Sequence, residues 1–246
     1  MLSIKDNLKE ATVLSFQQEA EDDLFSSISV YDFLEKIHTK VLPLKEMYAD
    51  YKCAAMGVAT KFRVLNERFS IHSDGNPIES IKTRIKTPES ILKKMELNGW
   101  QMSLESVEEH IHDIAGVRVI CSFVEDIYKM AEYLLVQDDI TLVNKKDYIT
   151  NPKPSGYRSM HLIVQVPIFT EAGKKMMKVE VQFRTIAMDF WASLEHKLRY
   201  KNEINEAEVA ELSKELKACS DVSAELDMRM QNVRTRILSL RQAEGD

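Results

Sequence analysis

Glycine and proline are scarce, seven and six in 246 residues. Ten of the thirteen fall between Gly75 and Gly173, leaving Pro43, Gly57 and Gly245 outside. Both residue types interrupt helices, so the two flanks are expected to be helical and the middle rich in turns. Cysteine is scarcer still. Cys53, Cys121 and Cys219 lie far apart, which excludes a disulfide framework and a CxxC metal pattern and suits a reducing compartment. No apolar run approaches the roughly 20 residues needed to cross a bilayer. The opening MLSIKDNLKEATV lacks the basic start and apolar stretch of a signal peptide, so a cytoplasmic location is expected. GxxxxGK[ST], GxGxxG and GxSxG are all absent, which removes the usual glycine-rich phosphate cradles and the nucleophile elbow.

What is present is an ordinary globular composition with uneven charge. Hydrophobic residues make up 44% and charged residues 29%, enough apolar surface to exclude wholesale disorder. A net charge of −6 argues against a duplex nucleic-acid binder. Residues 1–30 are strongly acidic, whereas residues 80–94 and 145–158 are basic islands. Two such islands in an acidic chain suit a small anionic ligand, although each alone also reads as solvated surface.

Periodicity sets the organisation. Leu44, Tyr48, Tyr51, Ala55, Val58, Phe62, Leu65 and Phe69 draw one apolar stripe along an N-terminal helix. Val209, Leu212, Leu216, Cys219, Leu226, Met230, Val233, Ile237 and Leu240 draw another near the C-terminus. Such stripes pack on a central domain or join subunits. Between them, Gly116–Phe123 reads as a strand, Val124–Val136 as a helix, and Ile140–Ile149 as a second strand. Ser159–Val166 and Met177–Phe183 alternate apolar and polar residues, as half-buried strands do. Thr185 can cap a helix that buries Ala187, Phe190, Trp191, Leu194 and Leu198. The expected class is α+β, with a mixed sheet of about five strands, flanking helices and long terminal helices.

Four features could carry chemistry. Lys178, Glu180, Gln182 and Arg184 share one face of the last strand. Ser159 and His161 form a similar row on a candidate neighbour, so two polar rows could floor a cleft. His110-Ile111-His112-Asp113 precedes the first strand. There Asp113 could hold Mg²⁺ against phosphates, with Glu180 as partner carboxylate, while His110 and His112 read as helix-end residues. Lys153-Pro-Ser-Gly-Tyr157-Arg-Ser is a loop offering cations, close backbone approach and a ring able to stack a base. In Arg84-Ile-Lys86-Thr-Pro-Glu-Ser90-Ile-Leu-Lys93-Lys94, Pro88 fits a helix first turn capped by Thr87. Ser90 and Lys94 then share a face that could hold a triphosphate, or merely form a basic helix.

In order, RIKTPESILKK, HDIAGVRVICSF, KDYITNPKPSGYRSMHLIV and VEVQFRTIAMDFWASLEHKLRYK resemble the RelA/SpoT-type (p)ppGpp synthetase domain over roughly residues 75–201. The short chain is most similar to stand-alone small alarmone synthetases of the RelP group. The resemblance implies a nucleotidyltransferase-like single synthetase domain, with N-terminal helices over 1–74, a core at 75–201 and a C-terminal helix over 202–246. It implies a GTP diphosphokinase, which moves the β,γ-diphosphate of ATP to the 3′-hydroxyl of GDP or GTP and releases AMP, without alarmone hydrolysis. Arg84, Lys86, Ser90, Lys94 and Arg118 would bind ATP. Lys153, Tyr157, His161, Gln182 and Arg184 would serve the acceptor. Asp113 and Glu180 would be catalytic and hold Mg²⁺, and Glu180 would orient or deprotonate the hydroxyl. The family's small synthetases are homotetramers, so a homo-oligomer is expected, with no membrane or nucleic-acid partner.

Overall fold

Strand patterning survives into three dimensions most clearly where apolar and polar residues alternate. The structure is a computed structural model that describes residues 30–71, 75–199 and 206–244. Most of the acidic segment, and Tyr200 and Lys201 at the end of the fourth matching stretch, lie outside the described residues. The chain divides into two units, Met1–Met47 and Tyr48–Asp246. Among its described residues the first unit holds only the start of helix α1 (Val30–Ser70), which contains Pro43.

The second unit is built on five strands: β1 (Ile78–Ile85), β2 (Ala115–Cys121), β3 (Thr141–Asp147), β4 (Met160–Thr170) and β5 (Gly173–Thr185). Their order is β1-β2-β5-β4-β3. Only β2 and β5 run parallel; the other three pairings are antiparallel. This is the expected mixed α+β sheet. The helices are α2 (Pro88–Asn98), α3 (Leu104–His110), α4 (Val124–Leu135), α5 (Ile186–Arg199) and α6 (Glu206–Glu244).

Period two separates the sheet's faces. Val117, Val119, Met160, Leu162, Val164, Val179, Val181 and Phe183 are buried on one. Tyr51, Ala55, Val58 and Phe62 of α1 are buried as their stripe requires, and the Phe62 ring meets Phe183 edge-on at 5.6 Å. Ile127, Met130, Ala131 and Leu134 of α4 are buried as read from the sequence. The other face carries the polar rows. β1 escaped the sequence reading because Ile78–Ile85 is an edge strand that stays polar and largely unburied.

One helical reading is corrected, and one left open is narrowed. α5 buries Met188, Trp191 and Ala192, whereas Phe190, Leu194 and Leu198 are exposed. Its sequence has apolar residues on both sides, so spacing alone picked the outer stripe. The α6 stripe is also outward: Val209, Leu212, Leu226, Met230, Val233, Ile237 and Leu240 are all exposed. Polar contacts hold α6 instead. Arg234 donates to Asp126 at 2.8 and 2.9 Å, and Trp191 Nε1 donates to the Leu216 carbonyl at 2.7 Å.

Candidate active site

Strand register brings the polar residues together. Arg84 pairs with Gly116, Gly116 with Glu180, and Arg118 with Gln182, while His161 faces Gln182 across the β4–β5 ladder. Gly116 is needed here: a Cβ would lie 3.1 Å from Arg84 Cγ, so its absence lets the arginine side chain cross the strand.

At the β2 entrance, Asp113 receives Lys86 Nζ at 2.7 Å and Lys94 Nζ at 2.9 Å. The local fold supplies both lysines. Lys86 follows β1, its N–H bonded to the Ile114 carbonyl at 2.8 Å and its carbonyl accepting from Tyr48 Oη at 3.1 Å. Lys94 lies on α2, which begins at Pro88 behind the Thr87 cap, as expected. Burial opposes ionisation of Asp113, but the two ammoniums outweigh it and bring its pKa to about 2.

Glu180 lies on β5 and is buried. His161 Nδ1 lies 3.1 Å from Oε1, and Gln182 Nε2 donates to Oε2 at 2.8 Å. Burial again disfavours charge, and these donors override it, so the Glu180 pKa sits below its ordinary value. Tyr157 Oη lies 2.8 Å from His161 Nε2. A carboxylate only accepts, so in the neutral ring Nδ1 carries the hydrogen and Nε2 accepts the phenol proton. Arg184 extends the chain, donating to Tyr157 Oη at 2.9 Å and to Asp189 at 2.9 Å. Asp189 also receives Arg118 at 3.2 Å.

Two cavities open on this polar face, and Glu180 lines the second. One, of about 240 Å³, is lined by Lys82, Arg84, Gly116, Arg118 and Gln182 among others. The second, of about 380 Å³, is lined by Lys94, Asp113, Lys153, His161 and Glu180, together with Trp100, His110, Lys146 and Tyr148. Arg84, of the first cavity, places Nη2 3.8 Å from Glu180 Oε2 of the second.

All twelve candidates except Ser90 enter this constellation directly. Ser90 is exposed in the first turn of α2, its hydroxyl accepting from Thr87 Oγ1 at 3.1 Å, and it lines neither cavity. Tyr157 joins through its hydroxyl, while Tyr148 presents to the cavity, with Lys153 Nζ 4.7 Å from the Tyr148 ring and 5.1 Å from the Tyr157 ring. Ser159 is not part of the floor: it is buried and donates to the Phe183 carbonyl at 2.9 Å. Lys178 turns away, donating to the carbonyls of Glu108 and Glu109 at the end of α3. His110 ends α3, as expected, and also stacks on Trp100 at 4.7 Å. Sequence reasoning missed Lys146, Tyr148, Trp100 and Asp189. Lys146 and Tyr148 were signalled by the second basic island; Trp100 and Asp189 sit in otherwise helical or loop sequence with no such signal.

The donor set suits a magnesium ion that arrives with phosphates. Two hard carboxylates share a cleft, one of them strongly ionised, and Mg²⁺ usually takes only one or two protein carboxylates. Among the described residues no group of three or more His, Cys, Asp or Glu forms a metal cluster, so nothing here resembles a dedicated all-protein cage.

The family described as the region found in RelA / SpoT proteins matches residues 83–205. GTP pyrophosphokinase YwaC of Bacillus subtilis is 43% identical over 187 residues, covering 76% of this chain and 88% of that protein. GTP pyrophosphokinase YjbM of the same organism is 37% identical over 187 residues, covering 76% and 86%. A solved structure of small alarmone synthetase 1 from Bacillus subtilis, bound to its product pppGpp, superposes with a TM-score of 0.72 at 34% identity, covering 79% of this chain and 98% of that one. With the same fold, the same family region and relatives matched over most of their length, this chain belongs to the RelA/SpoT family.

Proposed function

We propose that the chain is a GTP pyrophosphokinase that transfers the β,γ-diphosphate of ATP to the 3′-hydroxyl of GDP or GTP, making ppGpp or pppGpp and releasing AMP. The observation that carries this is the place of Glu180 in a cavity lined by Lys94, Lys146 and Lys153, beside Arg84 of a second cavity, with its carboxylate oriented by His161 and Gln182. Transfer of a diphosphate needs positioning and charge neutralisation more than covalent chemistry. Arg84 would lie on the adenine, with Arg118 assisting on the ATP side. Lys86 and Lys94 would leave Asp113 for the phosphates, with Ser90 one turn away. Lys153, Tyr157 and His161 would hold the acceptor, supported by Gln182 and Arg184. Glu180, ionised because of its donors, would orient the 3′-hydroxyl and accept its proton. Asp113 and Glu180 would hold Mg²⁺, which when bound neutralises charge on the phosphates.

Residues 75–201 are taken as the catalytic core, and the whole chain as one synthetase. The exposed α6 stripe supports homo-oligomerisation, with the tetramer as the proposed state. A light-scattering mass of one chain would contradict that. No described helix is long and apolar enough to cross a membrane, and the nucleotide substrates are those of the cytoplasm, where we place the reaction.

The test is product analysis with γ-labelled ATP, Mg²⁺ and GDP or GTP. Label in a guanosine tetra- or pentaphosphate with equal AMP supports the assignment. Label in tRNA or adenine nucleotides alone overturns the acceptor, and no transfer to any acceptor overturns the activity.

A further inference from the structure

The loop that carries Tyr157 is fastened to α6 on both sides of that residue. Before it, Ser220 donates its hydroxyl to the Gly156 carbonyl at 2.5 Å. Gly156 has φ +91°, and a Cβ there would stand 2.8 Å from Ser220 Cβ and 3.3 Å from Lys217 Cα. The loop backbone therefore lies directly against the helix, a contact only glycine permits. After it, the Arg158 guanidinium lies 3.7 Å from Asp227, with side chains 14% and 8% exposed. Asp227 also accepts from Thr185 Oγ1 at 2.9 Å, and Thr185 Oγ1 accepts the Met188 N–H that opens α5.

Ser220 and Asp227 are seven residues apart, two turns along one face of α6. They are two of the few buried polar residues in the molecule. Simple helix packing would bury the apolar stripe, yet its residues stay largely exposed, and the α6 side chains that are buried among the described residues are Ser220 and Asp227. The groups turned inward are polar and engage residues 156 and 158. A buried polar pair is costly unless its bonds are made, so such pairs specify geometry more than they add stability. α6 is itself anchored elsewhere, through Leu216 to Trp191 and through Arg234 to Asp126. It can therefore act as a fixed rail for the loop. Both residues lie beyond the family-matched region, which ends at 205.

We infer that Ser220 and Asp227 are positioning residues for the acceptor nucleotide: they fix the residues on either side of Tyr157 and set acceptor affinity without touching the ATP half of the site. The inference rests on the proposed acceptor role of Tyr157 and Lys153. No bond from α6 reaches Arg84, Lys86, Lys94 or Asp113 among the contacts that hold those residues.

The experiment is calorimetric binding of GDP, and separately of a non-hydrolysable ATP analogue, to the full-length wild type and to Ser220→Ala, Ser220→Thr and Asp227→Asn. The loss of one net hydrogen bond in Ser220→Ala, and of the buried charge pairing with Arg158 in Asp227→Asn, predicts a GDP Kd raised about threefold to tenfold in each. The analogue's Kd should stay within about twofold of wild type, and Ser220→Thr, which keeps the hydroxyl, should recover most GDP affinity. Circular-dichroism melting confirms that each variant is folded, and Asp227→Asn carries the test if Ser220→Ala does not fold. Unchanged GDP affinity in a folded variant, or equal weakening of both ligands, overturns the inference. Turnover of the wild type is scored separately. If it binds GDP with the predicted variant pattern but forms no guanosine product, the proposed activity fails and this positioning role stands.

Discussion

Arg184 ties Tyr157 to Asp189, one guanidinium nitrogen donating to the phenol oxygen at 2.9 Å and the other to the carboxylate at 2.9 Å. Asp189 takes Arg118 as well, at 3.2 Å, so one carboxylate holds two guanidiniums whose charges repel each other. Burial and the neighbouring Arg184 both pull the Arg118 pKa down, and Asp189 opposes them. Arg118 borders the smaller cavity, while Arg184 reaches His161 and Glu180 through Tyr157. Asp189 thus links the two halves of the site although it lines neither cavity.

Asp189→Asn should lower kcat about tenfold to a hundredfold, the range of a lost charge-assisted hydrogen bond. The check is a double-mutant cycle with Arg184→Lys. If Asp189 works through Arg184, the double variant falls no further than the worse single one. Strictly additive losses, or a normal kcat in Asp189→Asn, would remove Asp189 from the mechanism.

Glu180→Gln keeps the side chain's shape and removes its basicity. Turnover should fall by about a hundredfold or more, the scale of a lost general base. ATP affinity should stay within about threefold, because the lysine–Asp113 clamp is untouched. Equilibrium ATP binding beside single-turnover rates decides the matter. A fall in affinity matching the fall in rate would make Glu180 an ATP ligand instead.

Asp113 gives a pH signature. Its folded pKa of about 2 lies below the unfolded value of about 3.9, so its contribution to stability is complete above about pH 5 and is lost as pH falls through 2. The depression corresponds to roughly 2–3 kcal/mol. Urea unfolding of wild type and Asp113→Asn across pH 5 to 2.5 should therefore converge at the acid end, with wild type losing more. Parallel curves would show that the lysine clamp does not act in the folded protein.

Much of this was legible in sequence because β4 and β5 alternate strictly. Met160, Leu162, Val179, Val181 and Phe183 face the core, and His161, Glu180 and Gln182 follow on the other side by geometry alone. Cap chemistry at Thr87 and Thr185 was equally plain. β1 was not, because an edge strand rich in polar side chains has no apolar period to detect. The buried face of α5 was misjudged, and that of α6 left open, for a related reason: periodicity shows that a stripe exists, and only tertiary packing decides whether it turns inward. Asp189 was invisible because its meaning lies in Arg118, 71 positions away.

The last prediction separates the ring of Tyr157 from its hydroxyl. The ring is the part proposed to stack on the acceptor base, and base–aromatic stacking is worth about 1–3 kcal/mol. The hydroxyl does something else. It accepts from Arg184 and bonds His161, whose other nitrogen faces Glu180. With Arg184 occupying a lone pair of the phenol oxygen, the phenol proton is directed at His161 Nε2, which leaves Nδ1–H to hold the carboxylate. Tyr157→Phe should therefore leave the acceptor KM within about twofold and lower kcat about threefold to tenfold, one neutral hydrogen bond's worth. Tyr157→Ala should raise the acceptor KM by about tenfold or more. Initial rates with GDP varied at saturating ATP read both effects. Equal KM changes in the two variants would show that the hydroxyl binds the acceptor directly, and the chain from Arg184 to Glu180 would then be a packing arrangement without a part in turnover.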